Sequence, residues 1–378
     1  MYIFDSIPAT SYASIYILAL FILTLFISLY YLSIPDNRIT LVTENRKQIL
    51  AFLFGFVIIL FIGLRPISRW FVDMPLYAHV YNNIYGEDTF YDTRGEWLFY
   101  LLGTTCKKIG LEDRLYFLVL ATIYYGCMMI ACWRLMRNNL FVAFLFCFAS
   151  LSCFAYGVNG LRNGIACSLV MLSITFLSHK KWEFLFSLFL MFLAINVHRS
   201  TLLPSICAIA SLLFIKNTKF SLYFWFFSIF ISLIAGNEIT NFFVNLGFDD
   251  RMEQYASLPK DDLDVVSADQ MSGFRLDFII YSIMPIIMVW YVTIKRNFKD
   301  LTYHIIATTY ILSNAFWIMV IRSEQSNRFA YLSWFLYPLV IAYPLLRMNI
   351  WDDQDRKTAL ILLAYAGFTF FMTFVYYG

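Results

Sequence analysis

Residues 159–166 read N-G-L-R-N-G-I-A and set Arg162 between two glycines, Gly160 and Gly164, at the edge of an apolar run. A guanidinium is a planar fork of donors that grips phosphate or carboxylate with two bonds. If the glycines open a helix, its bare N–H groups and the fork together suit a phosphate. The competing reading of G-x-x-x-G is close helix packing. A second stretch, N-V-H-R-S-T-L-L-P at 196–204, sets His198 beside Arg199. Histidine is the side chain best suited to take a proton from a hydroxyl near neutral pH. It is also an ordinary hydrogen-bonded residue at a helix end, where Ser200 or Thr201 would cap the helix that follows.

Three further groups carry similar chemistry. Residues 63–77, G-L-R-P-I-S-R-W-F-V-D-M-P-L-Y, hold Arg65, Arg69, Asp73 and Tyr77. On a helix Arg69, Asp73 and Tyr77 would share one face. Pro75, however, belongs in a first helical turn, which makes Asp73 its N-cap as well as a candidate base. Arg251 and Tyr255 stand in R-M-E-Q-Y, and Arg322, Glu324, Arg328 and Tyr331 in R-S-E-Q-S-N-R-F-A-Y. Arg328 and Tyr331 are one turn apart and would face the same way, and Glu324 could orient an Arg or act as a base but is read first as an ordinary ion-pair partner.

These groups must be positioned by a very apolar chain. It is 61% hydrophobic and only 14% charged, against about 25% charged in globular proteins, so a soluble fold is excluded. Apolar runs recur at the length needed to cross a bilayer, and they predict about twelve spans. Their approximate bounds are 12–34, 48–64, 115–133, 139–157, 162–178, 183–197, 200–215, 219–236, 276–294, 301–321, 329–346 and 358–376. The first lacks the basic leader of a secretory signal and reads as a retained helix. Residues 96–110 are too short and polar to span and read as a re-entrant or interfacial helix.

Alternate connections carry compact basic clusters, such as Arg134/Arg137, Lys180/Lys181 and Lys295/Arg296/Lys299. Short basic loops face the cytoplasm, so the termini and the candidate residues face outward. The inner loops hold 8 Lys and 7 Arg, the outer ones 3 Lys and 10 Arg. Lys alone satisfies topology, so an Arg-rich outer face points to an anionic ligand there. Arg snorkelling to lipid headgroups is the plainer alternative. The fold expected is thus an all-α integral membrane protein, one polytopic domain over 1–378. The outer segments 65–114 and 237–273 would form its site and lid.

Other functions are disfavoured. The inner loops are too short to build a nucleotide site and hold no Gly-rich phosphate loop. Apart from His304, near one end, the span cores carry no ionisable side chain, unlike those of ion-coupled carriers. The seven cysteines lie mostly in apolar runs and form no C-x-x-C pair. Asp262-x-Asp264 and Asp353-x-Asp355 lack surrounding ligands, so no metal or other cofactor is expected. No basic tail suggests nucleic acid.

With these residues in view, the chain resembles the EpsG/Wzy-type family of polysaccharide polymerases. The resemblance rests on G-L-R…D-x-x-x-Y at 63–77, L-R-N-G-I-A at 161–166 and the basic turn at 180–181. It continues through H-x-S at 198–200, R-x-x-x-Y at 251–255 and R-x-x-Y at 328–331. Asn163 stands where the family often has Gln, and Phe71 where it often has Gly. The resemblance implies a C-type, lipid-linked glycosyltransferase of the bacterial cytoplasmic membrane. Such an enzyme joins undecaprenyl-diphosphate-linked repeat units on the outer face, making O-antigen, capsule or exopolysaccharide. Its partners would be those lipid-linked glycans, membrane lipids and a chain-length regulator protein. Arg65, Arg162 and Arg328 would then hold the diphosphate, with Arg69, Arg199, Arg251 and Arg322 in support. Asp73 or His198 would take the acceptor proton, and Tyr77, Tyr255 and Tyr331 would stack on sugar rings or hydrogen-bond them. Rival readings are a lipid-linked oligosaccharide flippase, a ligase, and an acyltransferase using His304.

Overall fold

The computed structural model describes residues 3–33, 44–85, 95–245, 275–322 and 326–376. Among these residues every regular element is helical, and no strand occurs. Six segments are long and apolar enough to cross a membrane: Ala9–Ser33, Asp113–Phe148, Thr218–Gly236, Leu276–Lys295, Arg328–Arg347 and Gln354–Tyr376. Three shorter apolar helices, Gln48–Gly63, Leu161–Ile174 and Arg199–Leu213, accompany them. The multi-pass membrane character expected from composition is therefore present, with six segments of crossing length among the described residues against the twelve spans expected.

The chain divides into two compact units, Met1–Arg199 with Ile341–Gly378, and Ser200–Val340. In the first unit α1 (Tyr12–Ser33) packs on the terminal helix, α16 (Gln354–Phe371). Next, α2 (Glu44–Gly63) lies on α5 (Asp113–Met136), α5 on α8 (Leu161–Ile174), and α8 on α9 (Lys181–Val197). The α8–α9 hairpin turns at the basic residues 179–181, as their polarity predicts. Two shorter helices, α3 (Met74–Asn83) and α4 (Trp97–Lys108), lie between α2 and α5 in sequence. At 12 residues, α4 reaches only about 18 Å, short of the ~30 Å hydrocarbon core, in keeping with the non-spanning assignment of 96–110.

One expected span is broken. Residues 139–157 form α6 (Leu140–Phe148) and α7 (Cys153–Val158), separated at 149–152. Breaking a helix in an apolar interior exposes carbonyls that need donors. Tyr16 Oη donates to Phe148 O at 2.9 Å, Thr369 Oγ1 to Ala149 O at 2.7 Å and Tyr124 Oη to Cys153 O at 3.2 Å. Three side chains from α1, α16 and α5 thus satisfy the break, and α7 leads the chain into α8.

The second unit is centred on α13 (Leu301–Met319), against which α10 (Leu202–Leu213) and α11 (Thr218–Asn245) pack. It also holds α12 (Leu276–Trp290) and α14 (Ser326–Trp334); α15 (Tyr337–Arg347) begins within it. Asn314 on α13 is fully buried and accepts from Trp225 Nε1 at 2.7 Å while donating to Ser282 and Ser333. A buried amide is tolerable only when its hydrogen bonds are made, and these bonds fix the register of the packed helices.

Candidate active site

The turn into α8 is built around two carboxylates and two arginines of the first unit. Gly160 takes the N-cap position with φ 53°, ψ 34°, a left-handed conformation that glycine adopts without a Cβ penalty. Asp73 occupies the N-cap position of α3 with Pro75 just inside, as predicted, but makes no cap bond to its own helix. Its Oδ2 accepts instead from Gly160 N–H at 3.0 Å. The carboxylate therefore caps α8 from outside, where the positive end of the helix dipole favours it. Gly164 has a different task, since a Cβ there would lie 2.5 Å from Tyr156 O. Close packing and an anion at the helix start are both present, but the anion is Asp73.

Arg65 lies just beyond the end of α2 and is 1% exposed. It donates to Ile62 O at 2.6 Å and to Val158 O at 3.1 Å, with the Phe71 and Phe117 rings 5.1 and 5.4 Å away. Burial draws its pKa down to about 10, still far above neutrality, so it is a buried cation. The expectation that Arg65 grips a diphosphate is corrected on this geometry. Its fork closes the carbonyl ends of α2 and α7, and rings cover it.

Arg162, in the first turn of α8, points the other way. Its Nε donates to Tyr77 Oη at 3.1 Å and its Nη1 meets Glu96 Oε2 at 2.5 Å. The other oxygen of Glu96 lies 2.5 Å from His198 Nδ1 and 3.4 Å from the Arg199 backbone N–H. One carboxylate thus joins the candidate cation to the candidate base. A ring nitrogen facing a carboxylate is the one that donates, so this contact favours the tautomer with its proton on Nδ1. The three side chains are 26%, 13% and 15% exposed for Arg162, Glu96 and His198. They are sheltered enough for the pairs to matter and open enough for a ligand to reach.

Local structure explains why these groups meet. His198 is the C-cap of α9 and Glu96 the N-cap residue of α4. The two helix ends are tied by Trp97 Nε1 donating to Asn196 Oδ1 at 2.5 Å. Gly95, at φ 83°, lies under the Arg199 guanidinium, where a Cβ would come within 2.1 Å of Nη2. A side chain there would push that guanidinium aside, and the positive φ itself favours glycine. Tyr77 is held against Phe99 of α4 with ring centroids 5.7 Å apart.

Asp73, Tyr77, Arg162, His198 and Arg199 are therefore gathered in one place. Arg69 is exposed and lines a separate open hollow of about 680 Å³ with Trp70 and Pro75. Arg322, Arg328 and Tyr331 belong to the second unit. There Arg322 and Arg328 are half-buried, and Tyr331 is 2% exposed beside Phe335. So buried a ring offers no face to a sugar, and the stacking role expected of Tyr331 is corrected. Arg251, Tyr255 and Glu324 lie outside the described residues. His304, the acyltransferase candidate, has both ring nitrogens engaged, Nδ1 with Thr218 Oγ1 at 2.8 Å and Nε2 with Ile215 O at 2.6 Å. Among the described residues no group of three or more His, Cys, Asp or Glu could hold a metal ion.

Glu96 is the residue that sequence reasoning passed over. It opened a segment judged only for being too short to span. Its signal was present, a carboxylate at the start of a helix near several arginines, but it was one of several acids in the longer stretch 65–114.

A family model described as the EpsG family matches residues 48–378. No curated protein and no solved structure matches the chain.

Proposed function

The chain belongs to the EpsG family, which points to a polysaccharide-polymerase-type role in a multi-pass membrane protein, and from there we propose a specific reaction. The protein joins undecaprenyl-diphosphate-linked repeat units by transferring a glycan from one lipid diphosphate to a sugar hydroxyl of another. The observation that carries this reading is Glu96, whose two oxygens hold Arg162 and His198 at 2.5 Å each. A base for a hydroxyl and a fork for a diphosphate are what such a transfer needs within one site.

In the proposed step the acceptor hydroxyl oxygen attacks the anomeric carbon of the donor glycan. The bond from that carbon to the diphosphate oxygen breaks, and its electron pair leaves with undecaprenyl diphosphate. The hydroxyl proton passes to His198 Nε2, while Glu96 orients the ring and offsets the positive charge that develops on it. Arg162 and the exposed Arg199 stabilise charge growing on the leaving diphosphate, and Tyr77 fixes the Arg162 fork from its Nε side. Asp73 serves as a cap in this scheme and His198 as the base.

The same reading takes the three shorter apolar helices as further crossings and sets the site on the outer face of the cytoplasmic membrane. It is supported there by the contrast between Lys-rich and Arg-rich loops. Deleting the gene and sizing the surface glycan tests the function. A single repeat unit on its final acceptor is the expected outcome; glycan of normal length, or none at the surface, rules out the polymerase. Arg162→Lys is expected to abolish long polymer, because an ammonium cannot hold Tyr77, Glu96 and a diphosphate together.

A further inference from the structure

Glycan transfer leaves unused a groove in the second unit, between the start of α11 and the end of α12. Tyr223 and Phe226 face Ile283, Ile287 and Trp290 across about 400 Å³, and Lys219 forms part of the wall. Both helices belong to segments long and apolar enough to cross a membrane. The groove is therefore an apolar slot within the bilayer with a cation at one end.

Two basic turns meet at that end. Residues 214–219 read F-I-K-N-T-K and residues 294–300 read I-K-R-N-F-K-D. His304, in the first turn of α13, binds Thr218 and Ile215 of the first turn, and α13 itself begins where the second turn ends. The two turns are thereby held side by side. Between them they carry Lys216, Lys219, Lys295, Arg296 and Lys299 and one carboxylate, Asp300, which caps α13 by accepting from Tyr303 N–H at 2.7 Å. Lys295 Nζ rests 5.7 Å from the centre of the Trp290 ring, on the wall of the groove itself. Arg296 is turned onto Tyr291, with Nε 2.9 Å from its hydroxyl.

We propose that this groove is a binding site for an anionic glycerophospholipid. One acyl chain lies along the slot, and the phosphate is received at the mouth by Lys219 and Lys295. The apolar wall gives the chain its place and the uncompensated cations select the headgroup. Basic pockets between membrane helices favour anionic lipids in this way. A zwitterionic lipid of the same chains would fill the slot and leave the excess positive charge unanswered. His304 acquires a role on this account: it staples the two basic turns into one mouth.

Native mass spectrometry of the detergent-solubilised full chain tests the site, with phosphatidylglycerol and phosphatidylcholine of identical acyl chains as probes. We expect one phosphatidylglycerol retained roughly 30-fold more tightly than phosphatidylcholine, as two headgroup-facing lysines imply. The double change Lys219→Gln with Lys295→Gln should erase that preference while the protein stays monodisperse. Ile287→Trp should fill the slot and release both lipids, which separates loss of the groove from loss of charge. Equal retention of the two lipids, or a preference that survives the double change, overturns the proposal. So does displacement of phosphatidylglycerol by glycerol phosphate, which would mean a phosphate site without a chain. Displacement by an equimolar polyprenyl phosphate would assign the groove to a substrate lipid and overturn it as well.

Discussion

Glu96→Gln is the most informative substitution, because it keeps the side chain's shape and removes only what lets it serve two partners. The carboxylate accepts from Arg162 through one oxygen and from His198 through the other, each at 2.5 Å, and is 13% exposed. An amide accepts through one oxygen only, so its NH2 must face either a guanidinium or a ring N–H. A hydrogen bond to a charged group contributes about 1.5–3 kcal/mol, and here one is lost and replaced by two opposed donors. Taking about 3 kcal/mol as the loss in the transition state gives roughly a 100-fold slower transfer. The assay is elongation rate on purified lipid-linked repeat units in proteoliposomes, with polymer length in producing cells as the second readout. Glu96→Asp should recover part of the rate, since a shortened carboxylate still reaches one partner. Because Glu96 acts partly through His198 and partly through Arg162, adding Glu96→Gln to His198→Ala should cost less than Glu96→Gln costs in the wild type, the remainder being the Arg162 share. A Glu96→Gln enzyme within twofold of wild type would falsify the shared-carboxylate mechanism.

Other substitutions separate scaffold from chemistry. Arg65→Met should lower stability by about 2 kcal/mol, since Ile62 O and Val158 O lose a donor while the cost of a buried cation is also removed; thermal unfolding in detergent reads this, and an unchanged Tm refutes the closing role of Arg65. Asp73→Asn should stay active because its amide oxygen still accepts from Gly160 N–H, whereas Asp73→Ala should lose about 1 kcal/mol with the cap. An inactive but folded Asp73→Asn protein would return Asp73 to the role of base. Gly164→Ala should destabilise by about 1–3 kcal/mol, because its Cβ would meet the Tyr156 backbone at 2.5 Å. Gly160→Ala should be milder, about 1 kcal/mol, since the neighbour at 3.2 Å is a ring that can turn and the main penalty is φ 53°. Equal Tm losses for the two alanines would show that the distinction between packing and turn is wrong.

What the sequence made legible was local. Apolar runs read as helices because a bilayer forces backbone polar groups to bond within their own segment. The turn at 179–181 follows from three consecutive polar or charged residues, and 96–110 from its length. The break at 149–152 left no such mark. The donors that make it tolerable, Tyr16, Tyr124 and Thr369, come from three other helices, and no periodicity within 139–157 reports them.

The candidate site divides the same way. Residue type and an exposed rim singled out Arg162, His198 and Asp73, but their partners are settled by long-range contact. Asp73 reads as the cap of the helix it precedes, and it caps one that begins 87 residues later. Arg65 and Arg162 are the same residue at the same kind of place, the end of an apolar helix. One is enclosed by Phe71 and Phe117 while the other turns to Tyr77 and Glu96, and packing alone distinguishes them. Glu96 illustrates the limit most sharply. A carboxylate on an arginine-rich face must find a partner, so that it would pair was foreseeable. That it pairs with a base and a fork at once depends on Trp97 docking at Asn196, which brings the start of α4 to the end of α9. The chemistry of the site therefore rests on a helix that spans nothing, and its removal should abolish transfer while leaving the apolar helices of the membrane able to form.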